Sequence, residues 1–124
     1  MPERSAAPAA ATSGKSDTPR LAHSVYVIEL DPAVLDERRF RARNPNYLDG
    51  MPCVYVGMTG LPVEERFANH RAGYKSNRYA HNYGLRLLPE LYECFNPMPY
   101  EAAQRMEQEL ADELQEQGYA VWQG

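Results

Sequence analysis

The chain has 124 residues, which suits one compact domain, and its hydrophobic share of 44% and charged share of 24% are ordinary for a globular protein. The net charge of −4 argues against nucleic-acid binding through bulk charge, and two cysteines exclude a disulfide framework. The chain shows no signal-peptide pattern and no long apolar run, which excludes a membrane protein. We therefore expect a soluble cytoplasmic protein with Cys53 and Cys94 as buried, reduced thiols.

The first half of the chain predicts a tail followed by a β-α-β unit. Residues 1–22 are rich in Ala, Pro, Ser and Thr, which predicts a flexible tail before a single domain over residues 23–124. Residues 23–30 predict a strand, and Asp31 and Pro32 can begin a helix that runs to about residue 42. Residues 44–52 have turn chemistry, and residues 53–57 predict a second strand.

The second half predicts the order α-(α)-β-α-β. We expect a helix over residues 62–72 that ends at Gly73, and a short helix over residues 76–83 that ends at Gly84. Residues 85–95 are predicted to be mostly extended. The longest helix is expected over residues 100–117, closed by Gly118, and a short last strand over residues 119–122.

A Val-Tyr-Val triplet occurs in both of the first two predicted strands. Tyr26 lies between Val25 and Val27, and Tyr55 lies between Val54 and Val56. Strand side chains alternate between faces, so the four valines point one way and both tyrosines the other. If the strands pair, two phenols lie side by side, either as packing or as chemistry.

The last predicted helix carries an acid beside its apolar stripe. Ala103, Met106, Leu110 and Leu114 form the stripe, and Glu107 lies four residues after the first of them. An acid in such a place has a partner, binds a metal, lies at a cleft, or leans toward water from the edge of the stripe. The pattern alone leaves these alternatives open.

The helix after the second strand combines a histidine with an arginine. Val63, Phe67 and His70 have helical spacing, and Arg66 shares a face with His70. A histidine near an apolar stripe is more often a satisfied core residue than a catalytic one. Because this helix follows the second tyrosine strand directly, Tyr55 and Arg66 can meet where the helix leaves the sheet.

Basic residues are concentrated in the middle of the chain. Residues 90–116 contain eight acids and one base, whereas residues 36–86 hold most of the arginines. Within that stretch, Tyr74, Lys75, Arg78, Tyr79, His81 and Tyr83 alternate cations with rings. This pattern suits a nucleic-acid groove or the cover of a small core. The arginines at 38, 39, 41 and 43 give a weaker version of the same signal, and a solvated helix face is the favoured explanation for them.

Taken together, these residues resemble the GIY-YIG nuclease superfamily. Val25-Tyr26 is similar to the end of the GIY element, with Ser24 in the place of its glycine, and Tyr55-Val56-Gly57 is similar to the YIG element. Arg66, His70 and Glu107 match the family's helix arginine, a His or Tyr position, and the metal-binding glutamate. The resemblance covers roughly residues 23–122. It implies an α+β fold with a small mixed or antiparallel sheet of about three strands flanked by helices.

Two departures accompany the resemblance. The 28 residues between Tyr26 and Tyr55 exceed the family's usual spacing, which implies a helical insertion between the first two strands. Met58 stands where several members place a lysine or another polar residue. No clear match exists for an asparagine that some members carry after the metal glutamate.

The resemblance implies a metal-dependent endonuclease that hydrolyses phosphodiester bonds, with DNA favoured over RNA as the partner. Its catalytic residues would be Tyr26, Tyr55, Arg66, His70 and Glu107, with Glu107 as the ligand of Mg²⁺ or Mn²⁺. Arg71, Lys75 and Arg78 would bind nucleic acid. The sequence does not decide which tyrosine is the general base, and it leaves the oligomeric state open.

Two other function classes stay open from the sequence. The same fold could serve as a non-catalytic module that binds nucleic acid or assists repair. A small-molecule enzyme could also use the tyrosine pair for acid–base chemistry, although no cofactor motif accompanies it. A binding module needs no metal and forms no product, which separates it from a nuclease.

Overall fold

The computed structural model describes residues 21–124 and shows an α+β fold in which helices flank one mixed four-stranded sheet. The strands are β1 (Ser24–Leu30), β2 (Cys53–Thr59), β3 (Gly84–Leu87) and β4 (Ala120–Gln123), in the order β3-β1-β2-β4. The helices are α1 (Arg38–Ala42), α2 (Val63–Ala72), α3 (Arg78–Tyr83) and α4 (Tyr100–Glu116), with 3₁₀ turns at Pro32–Asp36, Pro89–Leu91 and Glu93–Phe95. The predicted class is confirmed, with four strands rather than about three. The predicted tail, residues 1–22, lies outside the described residues except for its last two.

The strand pairing places both tyrosines on one face of the sheet. β1 and β2 are antiparallel, with Tyr26 opposite Gly57 and Ile28 opposite Tyr55. We call the face that carries these four residues the tyrosine face. The other, the valine face, carries Val25, Val27, Val54 and Val56, as the alternation predicted. β4 joins the other edge of β2 in parallel, which places Trp122 beside Tyr55 on the tyrosine face.

Both faces of the sheet are covered. On the valine face lies α4, whose buried residues are Ala103, Leu110, Ala111 and Leu114. On the tyrosine face, α2 contributes the fully buried His70. Phe40, Tyr79 and Trp122 continue this layer, with ring centroids 4.7 Å apart for Tyr79 and Trp122. The sheet is therefore the centre of the core, and any site on it must open at an edge.

The helical insertion between β1 and β2 is present, but it is not one helix. Asp31 caps its first turn by accepting from the Ala33 N–H at 2.9 Å, as predicted. At Glu37 the backbone becomes extended, with φ −78° and ψ 119°. The Glu37 carboxylate accepts hydrogen bonds from Arg78 at 2.8 Å and from Tyr83 at 2.6 Å. These long-range contacts accompany the break in the predicted helix.

The prediction of an extended segment over residues 85–95 was wrong beyond Leu87. Gly84–Leu87 pairs with β1, the Leu88 N–H donates to the Val27 carbonyl at 2.9 Å, and two 3₁₀ turns follow. The Asn96 side chain then forms the two hydrogen bonds to β1 that the backbone of a paired strand would form. It accepts from the Val25 N–H at 2.9 Å and donates to the Val25 carbonyl at 2.8 Å. The 3₁₀ turns leave Cys94 exposed, so its predicted burial was also wrong, whereas Cys53 is buried as expected.

The longest helix, α4, ends as the sequence predicted. It covers 17 residues, and Gly118 follows with a φ of +99°, a conformation that glycine adopts without strain. In residues 21–124, no helix combines the length and the apolar character needed to cross a membrane.

Candidate active site

Gly57 provides the space in which the two phenols meet. An added Cβ on Gly57 would lie 2.5 Å from the Tyr26 hydroxyl oxygen and 3.0 Å from Cε2 of Tyr55. The Tyr26 ring therefore crosses over the β2 backbone at this residue. The ring centroids of Tyr26 and Tyr55 are 6.2 Å apart. Both tyrosines are buried, since Tyr26 is 1% exposed and Tyr55 is 3% exposed.

His70 joins this pair from α2. Its Nε2 lies 2.9 Å from the Tyr26 hydroxyl oxygen, and its ring packs edge-on against Tyr55 at 5.3 Å. Its Nδ1 accepts from the Asn77 backbone N–H at 3.2 Å. An imidazole nitrogen that accepts carries no proton, so in the neutral ring Nε2–H donates to Tyr26. The contact thus has a defined direction, from histidine to phenol.

His70 is neutral at physiological pH. Burial, with a smaller contribution from the nearby Arg66 charge, lowers the pKa of His70 to about 4. The ring is fully buried. A neutral histidine that donates to a phenol oxygen stabilises the deprotonated form of that phenol more than the protonated form.

Arg66 approaches the phenols from the α2 side of the sheet edge. Its Nη2 donates to the Lys75 carbonyl at 2.9 Å, which fixes the half-buried guanidinium. The same guanidinium lies close enough to Tyr26 to lower the pKa of its phenol by charge and by hydrogen bonding. The Arg66 charge lowers the pKa of Tyr55 as well, so the helix arginine lies within electrostatic range of both phenols.

The two phenols differ in how readily they lose a proton. Burial raises the pKa of both Tyr26 and Tyr55 above the ordinary value. For Tyr26, the Arg66 charge and hydrogen bonds from Arg66 and Tyr55 oppose this rise. For Tyr55, the neighbouring Tyr26 and Glu107 increase it. Tyr26 is therefore the phenol that deprotonates first.

Glu107 extends from α4 toward the free end of β4. Its Oε1 accepts from Nε2 of Gln123 at 3.0 Å, and the carboxylate is half-buried. Gln123 is the register partner of Val56, so this contact is made on the valine face, opposite the face that carries the two phenols. The charge nevertheless raises the pKa of Tyr26 and Tyr55, which places Glu107 within electrostatic range of both phenols.

The donor set around Glu107 fits a magnesium-like ion. No group of three His, Cys, Asp or Glu side chains converges anywhere in residues 21–124, so a closed protein cage is absent from this part of the chain. Mg²⁺ does not need one, because it is bound through one or two carboxylates while water and phosphate oxygens fill its other positions. A single carboxylate oriented by an amide is compatible with that mode.

The three predicted nucleic-acid contacts are not brought together. Lys75 borders Arg66 and is exposed. Arg78 is engaged in the ion pair with Glu37 at 2.8 Å. Arg71 lies over the Phe67 ring, 5.5 Å from its centroid, on the side of β3. Only Lys75 lies beside the candidate site.

The aromatic and basic cluster divides into core and surface. Tyr79 is buried and packs with Phe40 and Trp122, as expected if the cluster covers a small core. Tyr74 is 57% exposed. The insertion arginines are exposed, and Arg43 covers the Trp122 ring at 4.2 Å.

Three residues that build the site were not singled out from the sequence. Gly57 gives room to the phenols, the Asn77 N–H sets the tautomer of His70, and Gln123 orients Glu107. Gly57 was visible as part of the YIG-like element. Asn77 acts through its backbone N–H, and the contact of Gln123 with Glu107 depends on how β4 packs beside α4. The residue types alone therefore do not predict either role.

No protein-family model, curated protein or solved structure compared with the chain matches it. The resemblance to the GIY-YIG nucleases accordingly depends on the residues around Tyr26, Tyr55, Arg66 and Glu107 and on their order in the chain.

Proposed function

We propose that the chain is a GIY-YIG-type, divalent-metal-dependent endonuclease, with DNA favoured over RNA as its substrate. The observation that carries the proposal is the arrangement around Tyr26, whose phenol receives a hydrogen bond from His70 and lies beside Arg66. Packing alone explains the valine face. It does not explain why a buried histidine donates to a buried phenol oxygen whose pKa the Arg66 charge also lowers.

In this proposal, Arg66 binds the scissile phosphate. Its guanidinium is held by the Lys75 carbonyl and lies at the rim of a groove of about 520 Å³. Arginine presents several N–H donors in a planar fork that matches phosphate oxygens. A fixed guanidinium also stabilises the additional negative charge that develops in the transition state of phosphodiester hydrolysis.

Tyr26 is the proposed general base, ahead of Tyr55. The hydrogen bond from Nε2–H of His70 and the Arg66 charge both favour the phenolate of Tyr26. Tyr55 keeps its own proton, because burial and the neighbouring Tyr26 and Glu107 raise its pKa. His70 is thus a positioning residue, because it acts on the water through Tyr26.

Glu107 is the proposed ligand of Mg²⁺ or Mn²⁺, and Gln123 orients its carboxylate. When bound, such an ion supplies Lewis-acid stabilisation of the leaving oxygen. Glu107 itself keeps negative charge near both phenols and so opposes their deprotonation.

A specific observation favours a second candidate, a non-catalytic nucleic-acid-binding module. Tyr26, Tyr55 and His70 are at most 3% exposed, so the Tyr26 oxygen has little contact with solvent. In a binding module, these three residues would stabilise the core as a satisfied polar network. The two candidates differ in whether a product forms.

A plasmid-nicking assay with Mg²⁺ or Mn²⁺ separates them. We expect the wild-type protein to convert supercoiled plasmid to nicked circles with the metal present and not in EDTA. Glu107→Ala removes the metal ligand and is expected to abolish nicking. Glu109→Ala, on the exposed side of the same helix, is the matched control and should nick as the wild type does. Binding of plasmid without any metal-dependent product would support the second candidate.

A further inference from the structure

The five residues between α2 and α3 form a loop that reaches both proposed functional side chains of α2. Gly73 ends the helix in the left-handed region, with φ +79°, and Lys75 has a positive φ of 47°. The Lys75 carbonyl accepts from Arg66, and the Asn77 N–H donates to His70. We call residues 73–77 the α2–α3 loop. Its backbone thus holds the phosphate-binding arginine and the positioning histidine at once.

The tip of this loop exposes an aromatic ring beside the groove. Tyr74 is 57% exposed, and the Lys75 ammonium lies 5.5 Å from its ring centroid. The groove is lined by Thr59, Leu61, Glu65, Arg66, Asn69, Tyr74 and Lys75. Leu61, which precedes α2 in the chain, is 41% exposed. The groove therefore joins apolar surface to two cations.

This combination suits one nucleic-acid strand with an accessible base. Arg66 and Lys75 can meet phosphates, while Glu65 in the same groove limits how much negative charge it accepts. An exposed tyrosine ring offers a stacking surface to a base. In a regular duplex both faces of each base are covered by its neighbours, so only an unpaired or unstacked base can use Tyr74.

We infer that Tyr74 stacks on an unpaired base next to the phosphate bound by Arg66, so that the substrate class is nucleic acid with single-stranded or unpaired nucleotides at the point of cleavage. The inference rests on the proposed function for the role of Arg66. It adds a base contact that the catalytic residues do not provide, and it assigns a role to the exposed ring of Tyr74.

Binding in EDTA tests the base contact without cleavage. The probe is a fluorescein-labelled oligothymidylate of about 12 nucleotides, compared by anisotropy with the same strand annealed to its complement. Loss of one stacked base costs about tenfold to a hundredfold in affinity, so Tyr74→Ala should weaken single-strand binding by that factor and change duplex binding little. Tyr74→Phe keeps the ring and should retain the wild-type affinity.

Tyr100→Ala is the matched control. Tyr100 is 49% exposed at the start of α4 and does not line the groove, so its loss should leave single-strand binding unchanged. The inference is overturned if Tyr74→Ala binds the single strand as tightly as the wild type does, or if it weakens single strand and duplex equally. Both positions are exposed, and thermal melting verifies that each variant is folded.

A cleavage assay keeps this inference distinct from the proposed function. If the wild type cuts duplex and single-stranded probes equally and Tyr74→Ala does not change that ratio, the base contact is wrong and the nuclease stands. If the wild type cuts nothing with Mg²⁺ or Mn²⁺ but binds the single strand through Tyr74, the nuclease is wrong and the base contact stands.

Discussion

The Tyr26 hydroxyl oxygen lies 2.9 Å from Nε2 of His70, and the other ring nitrogen of His70 accepts from the Asn77 N–H. This pair links a sheet strand to helix α2 through a hydrogen bond of defined direction. It is also fully buried, so its chemistry affects both stability and the proposed catalysis.

The stability of the protein should fall as His70 is protonated. Its pKa is about 4 in the folded state against 6.5 when exposed, so the unfolded state binds more protons between these values. The contribution of neutral His70 to the free energy of unfolding is therefore full above pH 6.5 and is lost as the pH falls to about 4. It amounts to roughly 3 kcal/mol.

Urea unfolding at a series of pH values measures this loss, with His70→Gln as the comparison. The variant should lose the part of the pH dependence that His70 supplies. If wild type and His70→Gln show parallel pH profiles, His70 does not titrate as described.

Gly57→Ala should displace the phenols. The added methyl would lie 2.5 Å from the Tyr26 hydroxyl oxygen, whose place is fixed by His70. We expect a loss of about 1–3 kcal/mol in the free energy of unfolding, as for other overpacked cores. Gly60→Ala meets only the end of the His23 side chain at 3.3 Å and should cost less. Equal stability of the two variants, measured by urea unfolding, would show that the phenols move freely.

Much of this arrangement could be predicted from the sequence, because local patterns determine it. The alternation around Tyr26 and Tyr55 predicted their common face, and helical spacing placed His70 and Arg66 on one side of α2. The break at Glu37 could not be predicted, since it is associated with contacts to Arg78 and Tyr83 far along the chain.

The electrostatic interaction between Glu107 and the phenols also could not be predicted from the sequence. Helical spacing placed Glu107 beside the apolar stripe but gave no distance to the opposite face of the sheet. The interaction depends on how α4 and β4 lie against β2, which is a property of tertiary packing. For the same reason the spacing could not show that Arg78 is paired with Glu37.

Arg66→Ala should reduce metal-dependent cleavage by about 100-fold to 1,000-fold, the usual cost of removing one transition-state donor. Arg66→Lys should restore little, because an ammonium lacks the planar fork. Initial nicking rates measure both variants. Arg86→Ala breaks the exposed pair with Glu29 instead and is the control for loss of one positive charge. A rate for Arg66→Ala equal to that of this control would remove Arg66 from the site.

Glu107→Gln should lower the pKa of Tyr26, since the carboxylate charge raises it in the wild type. NMR of protein labelled at the tyrosine ζ-carbon follows each phenol separately through a pH titration. The neutral amide keeps the size of the side chain, so the change reports charge. Glu109→Gln, exposed on the same helix, should leave the titration of Tyr26 unchanged. An unchanged pKa of Tyr26 in the Glu107→Gln variant would place Glu107 outside the electrostatic range of this phenol.

The most direct test of the central claim is the rate of plasmid nicking by Tyr26→Phe with Mn²⁺, relative to the wild type. The substitution removes one oxygen atom from a ring that stays in place, and circular dichroism verifies the fold. Loss of a general base predicts a decrease of about 100-fold or more. Nicking by Tyr26→Phe at the wild-type rate would contradict the account.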